Sequence, residues 1–123
     1  MAAVRRRDTV PEVLVRSHLH RMGLRFRLHD TRLPGSPDIV LKRHNTVVFV
    51  HGCFWHGHDC PRGKAPCTRQ EFWLPKLIRN RKRDQLQVRS LRALGWRVLV
   101  VWECETKDET RLARRLRRWF RSI

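Results

Sequence analysis

Apolar and polar positions alternate along the chain in patterns that predict seven elements. Residues 9–22 read as a helix, with Val10, Val13, Leu14 and Leu19 as an apolar stripe running to Met22. Thr9 supplies an N-cap, Glu12 follows at capping-box spacing, Pro11 fits the first turn and Gly23 stops the helix. Leu24-Arg25-Phe26-Arg27-Leu28 alternates as a half-buried strand does. Pro34-Gly35-Ser36-Pro37 is a turn. Residues 38–41 and 46–50 then read as two strands joined by a polar hairpin around His44-Asn45. A helical pattern returns over 70–94 through Phe72, Leu77, Leu86, Leu91 and Leu94, with Pro75 near its start and Gly95 at its end. Val98-Leu99-Val100-Val101-Trp102 is apolar on both faces, as a central strand is. Residues 109–121 form a last amphipathic helix, with Leu112, Leu116, Trp119 and Phe120 facing inward. Trp96 and Trp102 follow the same periodicity toward a core. The order α-β-β-β-α-β-α predicts an α/β fold, a mixed sheet with helices on both faces.

Length limits this to one domain over residues 1–123, with 1–8 as a short basic arm. A hydrophobic share of 41% is enough for a small core and excludes a wholly disordered chain. Charge changes the picture more. Lys and Arg number 28 against 11 acidic residues, a formal net charge of +17, which points to a polyanionic partner, nucleic acid first. Of the 28, 23 are Arg, the side chain that forks onto phosphate and guanine, although an arginine-biased genome would give the same ratio. No apolar run nears the roughly 18 residues of a membrane span. No signal-peptide core follows the basic start, so a cytoplasmic protein is expected. In that compartment cysteines are metal ligands or thiols rather than disulfides.

Residues 51–67 have no period but hold three of the seven His and three of the four Cys. Cys53, His56, His58 and Cys60 put four zinc-type ligands into eight residues. One of the two His closes such a site and the other remains for chemistry, with His51 also unassigned. The fourth ligand comes from Cys104, at the end of an apolar strand, or from Cys67. Asp38 opens an apolar strand after a Pro turn, and a second strand runs from Thr46 to Val50. This is the layout of a PD-(D/E)xK nuclease core, in which a strand-edge carboxylate holds Mg²⁺ beside a phosphate. The second strand lacks the acid and Lys of that motif. A backbone carbonyl near Val50 and a His are the available replacements.

Five blocks, in this order, resemble the very-short-patch-repair (Vsr) DNA mismatch endonucleases. They are Leu33-Pro34-Gly35-Ser36-Pro37-Asp38, Val50-His51-Gly52-Cys53-Phe54-Trp55-His56-Gly57-His58-Asp59-Cys60, Thr68-Arg69-Gln70-Glu71-Phe72-Trp73, Asn80-Arg81-Lys82-Arg83-Asp84, and the run from Gly95 through Trp102-Glu103-Cys104. The resemblance covers about residues 9–120. It implies a restriction-endonuclease-like fold with a structural zinc site, and a Mg²⁺-dependent nick 5′ to the thymine of a T:G mispair, the product of 5-methylcytosine deamination. Carried over by residue, it implies Mg²⁺ at Asp38 beside the Val50 carbonyl, with His56 as general base. His51, Glu12 and Asp84 would surround the metal and its water. Zinc would fall to Cys53, His58, Cys60 and Cys104, and Phe54, Trp55 and Trp73 would wedge into the duplex. The implied partners are double-stranded DNA with a T:G mispair and mismatch-repair proteins. No membrane is involved, and the chain would act as a monomer on the prokaryotic nucleoid. Family members carry a segment before the first helix that clamps the mispair across the minor groove. Here Arg5, Arg6 and Arg7 are the basic residues at that place, and Val50 stands where the pattern often has Thr.

Several residues carry a structural reading beside the functional one. Glu12 is also a capping acid, Asp84 a solvated acid, Trp73 a core residue, and Phe54 and Trp55 a cover for the zinc site. At the level of function, the alternatives are a related nuclease without mismatch selectivity and a zinc-stapled DNA-binding module without catalysis. Asp38 and His56 speak against the last, because binding alone needs neither an acid facing phosphate nor a spare imidazole.

Overall fold

The computed structural model describes residues 9–53 and 70–121. Helix α1 (Val10–Arg21) leads to strand β1 (Arg27–Leu28), β2 (Ile39–Leu41) and β3 (Thr46–His51). Helix α2 (Gln70–Ala93), strand β4 (Arg97–Trp102) and helix α3 (Glu109–Arg121) complete the order. The sheet runs β1-β2-β3-β4, antiparallel at the first two junctions and parallel between β3 and β4. This is the mixed sheet that the element order predicts.

Strand alternation divides the core into two layers. Ile39, Leu41, Val48, Leu99 and Val101 pack with Val15 and Leu19 of α1 and Leu112, Leu116 and Phe120 of α3. Val40, Val47, Phe49 and Val98 face the other way, onto Leu91 and Val88 of α2. Strand β4 ends the sheet among the described residues, rather than lying at its centre. Its sequence is apolar on both faces because helices cover both faces, not because strands flank it on both sides.

Helix α1 is turned relative to the expected stripe. Val10 and Val13 are 70% and 46% exposed, whereas Glu12, Val15, His18 and Leu19 are buried. Two polar groups can face inward because each has a partner. His18 Nε2 lies 3.2 Å from Glu109 Oε1, and Glu12 is paired as described below. Thr9 caps as expected, its hydroxyl accepting from the Glu12 N–H at 3.3 Å. In α2, Leu77 and Leu91 are buried, but Phe72 and Leu86 of the expected stripe are exposed, as is Leu94 just past the helix end. The strand expected over 24–28 narrows to two exposed residues. The hairpin after β2 is a short 3-10 turn, Lys42–His44, closed by Asn45. Asn45 adopts a left-handed φ of 52° and donates from its amide to the Gly95 carbonyl at 2.6 Å. That bond ties the hairpin to the start of β4.

Two leucines of equal size separate the observed core from the expected one. Leu99→Ala is expected to cost about 2–5 kcal/mol, as fully buried Leu truncations do. Leu86→Ala, at a site 59% exposed, is expected to stay within about 0.5 kcal/mol. Urea unfolding midpoints of the two variants measure the difference.

Candidate active site

Strand β2 begins immediately after Asp38, and its register sets what Asp38 meets. Ile39 pairs with Val48 of β3, so one step beyond the ladder Asp38 lies beside the end of that strand. There the Val50 N–H donates to Asp38 Oδ2 at 2.7 Å. On the other side Leu28 pairs with Ile39, and the next residue, His29, donates its N–H to the Asp38 carbonyl at 3.0 Å. Three strands therefore fix the backbone around this one carboxylate.

Helix α1 adds the remaining groups. Glu12 is 2% exposed. Its Oε1 is 2.9 Å from His29 Nε2, and its Oε2 pairs with the Arg16 guanidinium one helical turn on. Arg16 also comes within 3.4 Å of His29 Nε2. Ligand atoms of Glu12, His29 and Asp38 all lie within 4.8 Å of one another, close enough to share one cation. Burial pushes the Asp38 carboxyl up from 3.8 to about 7, and the neighbouring Glu12 carboxylate adds to the rise; the Val50 N–H and Arg16 oppose it.

Of the expected site residues, the structure brings Asp38, Val50 and Glu12 together. His51 follows Val50 but points to the opposite face of the sheet. It is buried, with its ring 5.3 Å from Trp102 and 5.4 Å from Phe49. It lines a cavity of about 630 Å³ between α2 and the strand ends, together with Asp84, Arg81, Arg89, Arg92 and Trp102. Asp84 lies 3.9 Å from Arg83. Asp38 thus meets Glu12 of α1, and His51 shares a cavity with Asp84 of α2.

The Cys104 N–H donates to the Cys53 sulfur at 3.3 Å, so two of the four expected zinc ligands meet across the sheet end. Cys104 sits in a 3-10 turn, Glu103–Lys107. Glu105 anchors that turn by accepting from the Trp102 N–H at 2.9 Å and from Arg115 of α3 at 2.5 Å. Phe54, Trp55, His56, His58, Cys60, Cys67 and the basic arm lie outside the described residues. Trp73 lies in the first turn of α2, and its side chain is likewise outside them. His29 is the residue that sequence reading missed. Its signal was present: pairing residues 24–28 with 38–41 as antiparallel strands puts His29 opposite Asp38.

A strand-edge carboxylate beside a buried acid and an imidazole could hold a cation, and a basic cavity at the strand ends suits a polyanion. The fold is similar to that of the homing endonuclease I-Bth0305I catalytic domain, with a TM-score of 0.65 and 16% identity over 94% of this chain and 97% of that one. The sequence model of the DNA mismatch endonuclease Vsr matches residues 1–62. The chain is 54% identical to the type II nicking enzyme V.XorIIP of Xanthomonas oryzae pv. oryzae, over 95% of its own length and 86% of the relative's. It is 46% identical to the DNA mismatch endonuclease Vsr of Escherichia coli K12, over 97% and 80% of the two chains. The chain belongs to the Vsr family of DNA mismatch endonucleases, and it is an endodeoxyribonuclease.

The raised Asp38 pKa has a consequence for stability. A carboxyl neutral in the fold up to about pH 7 but ionised above about 4 when unfolded favours the folded state least at high pH. Its contribution is lost as pH rises from about 4 through about 7. Asp38→Asn, which carries no such charge, is therefore expected to gain in melting temperature over the parent across that window. Melts at pH 5 and pH 8 without added divalent ions check this; parallel curves would mean that burial does not govern the group.

Proposed function

We propose that this endonuclease nicks duplex DNA 5′ to the thymine of a T:G mispair, with Mg²⁺ held at Asp38. The observation that carries the reading is the Asp38 carboxylate, aimed by the Val50 N–H and set within ligand distance of Glu12 on a Vsr-family chain. The relatives named as nicking enzymes and as a mismatch endonuclease support the reaction class and the substrate.

The chain's own residues would divide the work as follows. Asp38 and the Val50 carbonyl hold the cation, and Glu12, kept in place by Arg16, faces it. Bound there, Mg²⁺ supplies positive charge to the phosphoryl oxygens and to the departing oxyanion. His56 takes a proton from the attacking water, a role suited to an imidazole that titrates near neutrality. His51 and Asp84 line the neighbouring cavity, where Arg81, Arg89 and Arg92 offer guanidinium groups to a DNA backbone. Phe54, Trp55 and Trp73 would open the base step beside the mispair, which a poorly stacked wobble pair makes less costly. A structural Zn²⁺ on Cys53, His58, Cys60 and Cys104 would tie this loop to the end of β4. The Cys104 N–H on the Cys53 sulfur supports that set. Residues 1–123 act as one domain in this reading, a monomer working on the bacterial chromosome in the cytoplasm, alongside mismatch-repair proteins. Among the described residues no helix is long and apolar enough to cross a membrane.

Nicking of a T:G duplex with added Mg²⁺, against the matched duplex, tests the proposal. Asp38→Ala should abolish nicking while DNA binding stays equal or tightens, since a negative charge facing phosphate is removed. His56→Ala should slow nicking by about 10²–10⁴-fold and keep its zinc. Equal nicking of matched and mispaired DNA would favour the nuclease without mismatch selectivity.

The zinc assignment has its own check. Cys104→Ser is expected to lower bound zinc well below one ion per chain and to destabilise the fold, while Cys67→Ser leaves both unchanged. Metal analysis and thermal melts of the two variants decide between these cysteines. Structural zinc sites carry roughly 10–16 kcal/mol of apparent binding energy, so the contrast should be large.

A further inference from the structure

We propose that His29 is a ligand of the catalytic cation, and that its imidazole makes this site prefer Mn²⁺ over Mg²⁺. The inference rests on the reading of Asp38 as the metal anchor and extends it to a residue and a metal class outside that reading.

Three observations place His29 there. Its backbone N–H is bonded to the Asp38 carbonyl at 3.0 Å, so the two residues are held as neighbours across β1 and β2. Its Nε2 lies 2.9 Å from Glu12 Oε1, and the ligand atoms of all three side chains fall within 4.8 Å of one another. Glu12 is almost fully buried, so the imidazole meets it on the protein side of the site rather than in open solvent.

The donor chemistry then decides the metal. Mg²⁺ is a hard cation that takes oxygen ligands and keeps several waters. An imidazole nitrogen suits first-row transition ions better, and Mn²⁺ accepts carboxylate and imidazole together. Arg16 works in the same direction. It pairs with Glu12 and lies 3.4 Å from His29 Nε2, so it offsets one of the two carboxylate charges. A site with less net negative charge depends more on the quality of each donor. Arg16 acts on both ions alike, because its effect is Coulombic. His29 acts on them differently, because its effect is coordination.

Binding of Mn²⁺ and of Mg²⁺ to the zinc-loaded chain, without DNA, separates these effects. Mn²⁺ is followed by its paramagnetic resonance signal, and Mg²⁺ by competition against it. His29→Gln keeps a hydrogen-bonding group and an oxygen donor but removes the nitrogen. It is expected to weaken Mn²⁺ by about 10-fold or more, in the range seen when groups around a metal site are changed. Mg²⁺ affinity should change less than about threefold, and the nitrogen coupling on bound Mn²⁺ should disappear. His29→Ala should give the same loss for Mn²⁺. Arg16→Gln should tighten both ions by similar factors. If His29→Gln leaves Mn²⁺ affinity and nitrogen coupling unchanged while Asp38→Asn abolishes binding, His29 is only an ion-pair partner of Glu12, and the inference falls with the Asp38 reading intact. If Asp38→Asn leaves Mn²⁺ binding unchanged, the anchor itself is wrong and both fall.

Discussion

One backbone donor organises this site: the Val50 N–H that holds the Asp38 carboxylate at 2.7 Å. It exists only in the observed register of β2 on β3. Side chains alternate along a strand, so a slip of one residue would exchange the two faces. Ile39 and Val48 would leave the core they share with α1 and α3, and Asp38 would lose its donor. The apolar residues of these short strands therefore specify a functional geometry as well as a core. The same register sends Val50 and His51 to opposite faces, and His51 lines the arginine-rich cavity beside α2.

The group around Asp38 is held under electrostatic tension. Two carboxylates, Glu12 and Asp38, approach within the span of one cation, and burial disfavours the charge on Asp38. Arg16 and His29 both meet Glu12, and Asp38 keeps its proton up to about pH 7 despite the opposing pull of Arg16. A divalent ion would complete the balance by favouring ionised ligands, so its uptake and the release of a proton are linked. Anchoring residues in pairs has a further effect. Removing Glu12 would take from both Arg16 and His29 the buried carboxylate that each meets, and such losses are large in the interior.

Elements set by regular periodicity were legible in the sequence. Helix α3 runs over Glu109–Arg121 as its leucine spacing predicts, and Leu112, Leu116 and Phe120 face inward. The paired strands with Asp38 at their edge were legible for the same reason, since a turn and two β-branched runs leave few alternatives. Helix α1 was not, because its buried face contains Glu12 and His18, and apolar counting cannot see polar groups that are buried with partners. His29 escaped for a related reason. Its place depends on β1, a strand of two exposed residues that hydrophobic pattern hardly marks. The place of His51 beside Phe49, on the face opposite Val50, follows from alternation and could have been read once β3 was drawn.

The parallel pairing of β3 with β4 has a consequence for how the molecule assembles. The carboxylate side of the site comes from close neighbours in the chain, joined by a turn and a hairpin. The cavity side cannot form until β4 returns alongside β3 through the long connection that contains α2, and non-local parallel pairing is slow to form. Cys53 and Cys104, on opposite sides of that connection and joined by the Cys104 N–H on the Cys53 sulfur at 3.3 Å, stand where the loop closes. Closing a long loop costs entropy that grows only slowly with its length. A cross-link at that point would act as a kinetic latch, holding a late-forming half of the enzyme against an early-forming one and slowing its reopening.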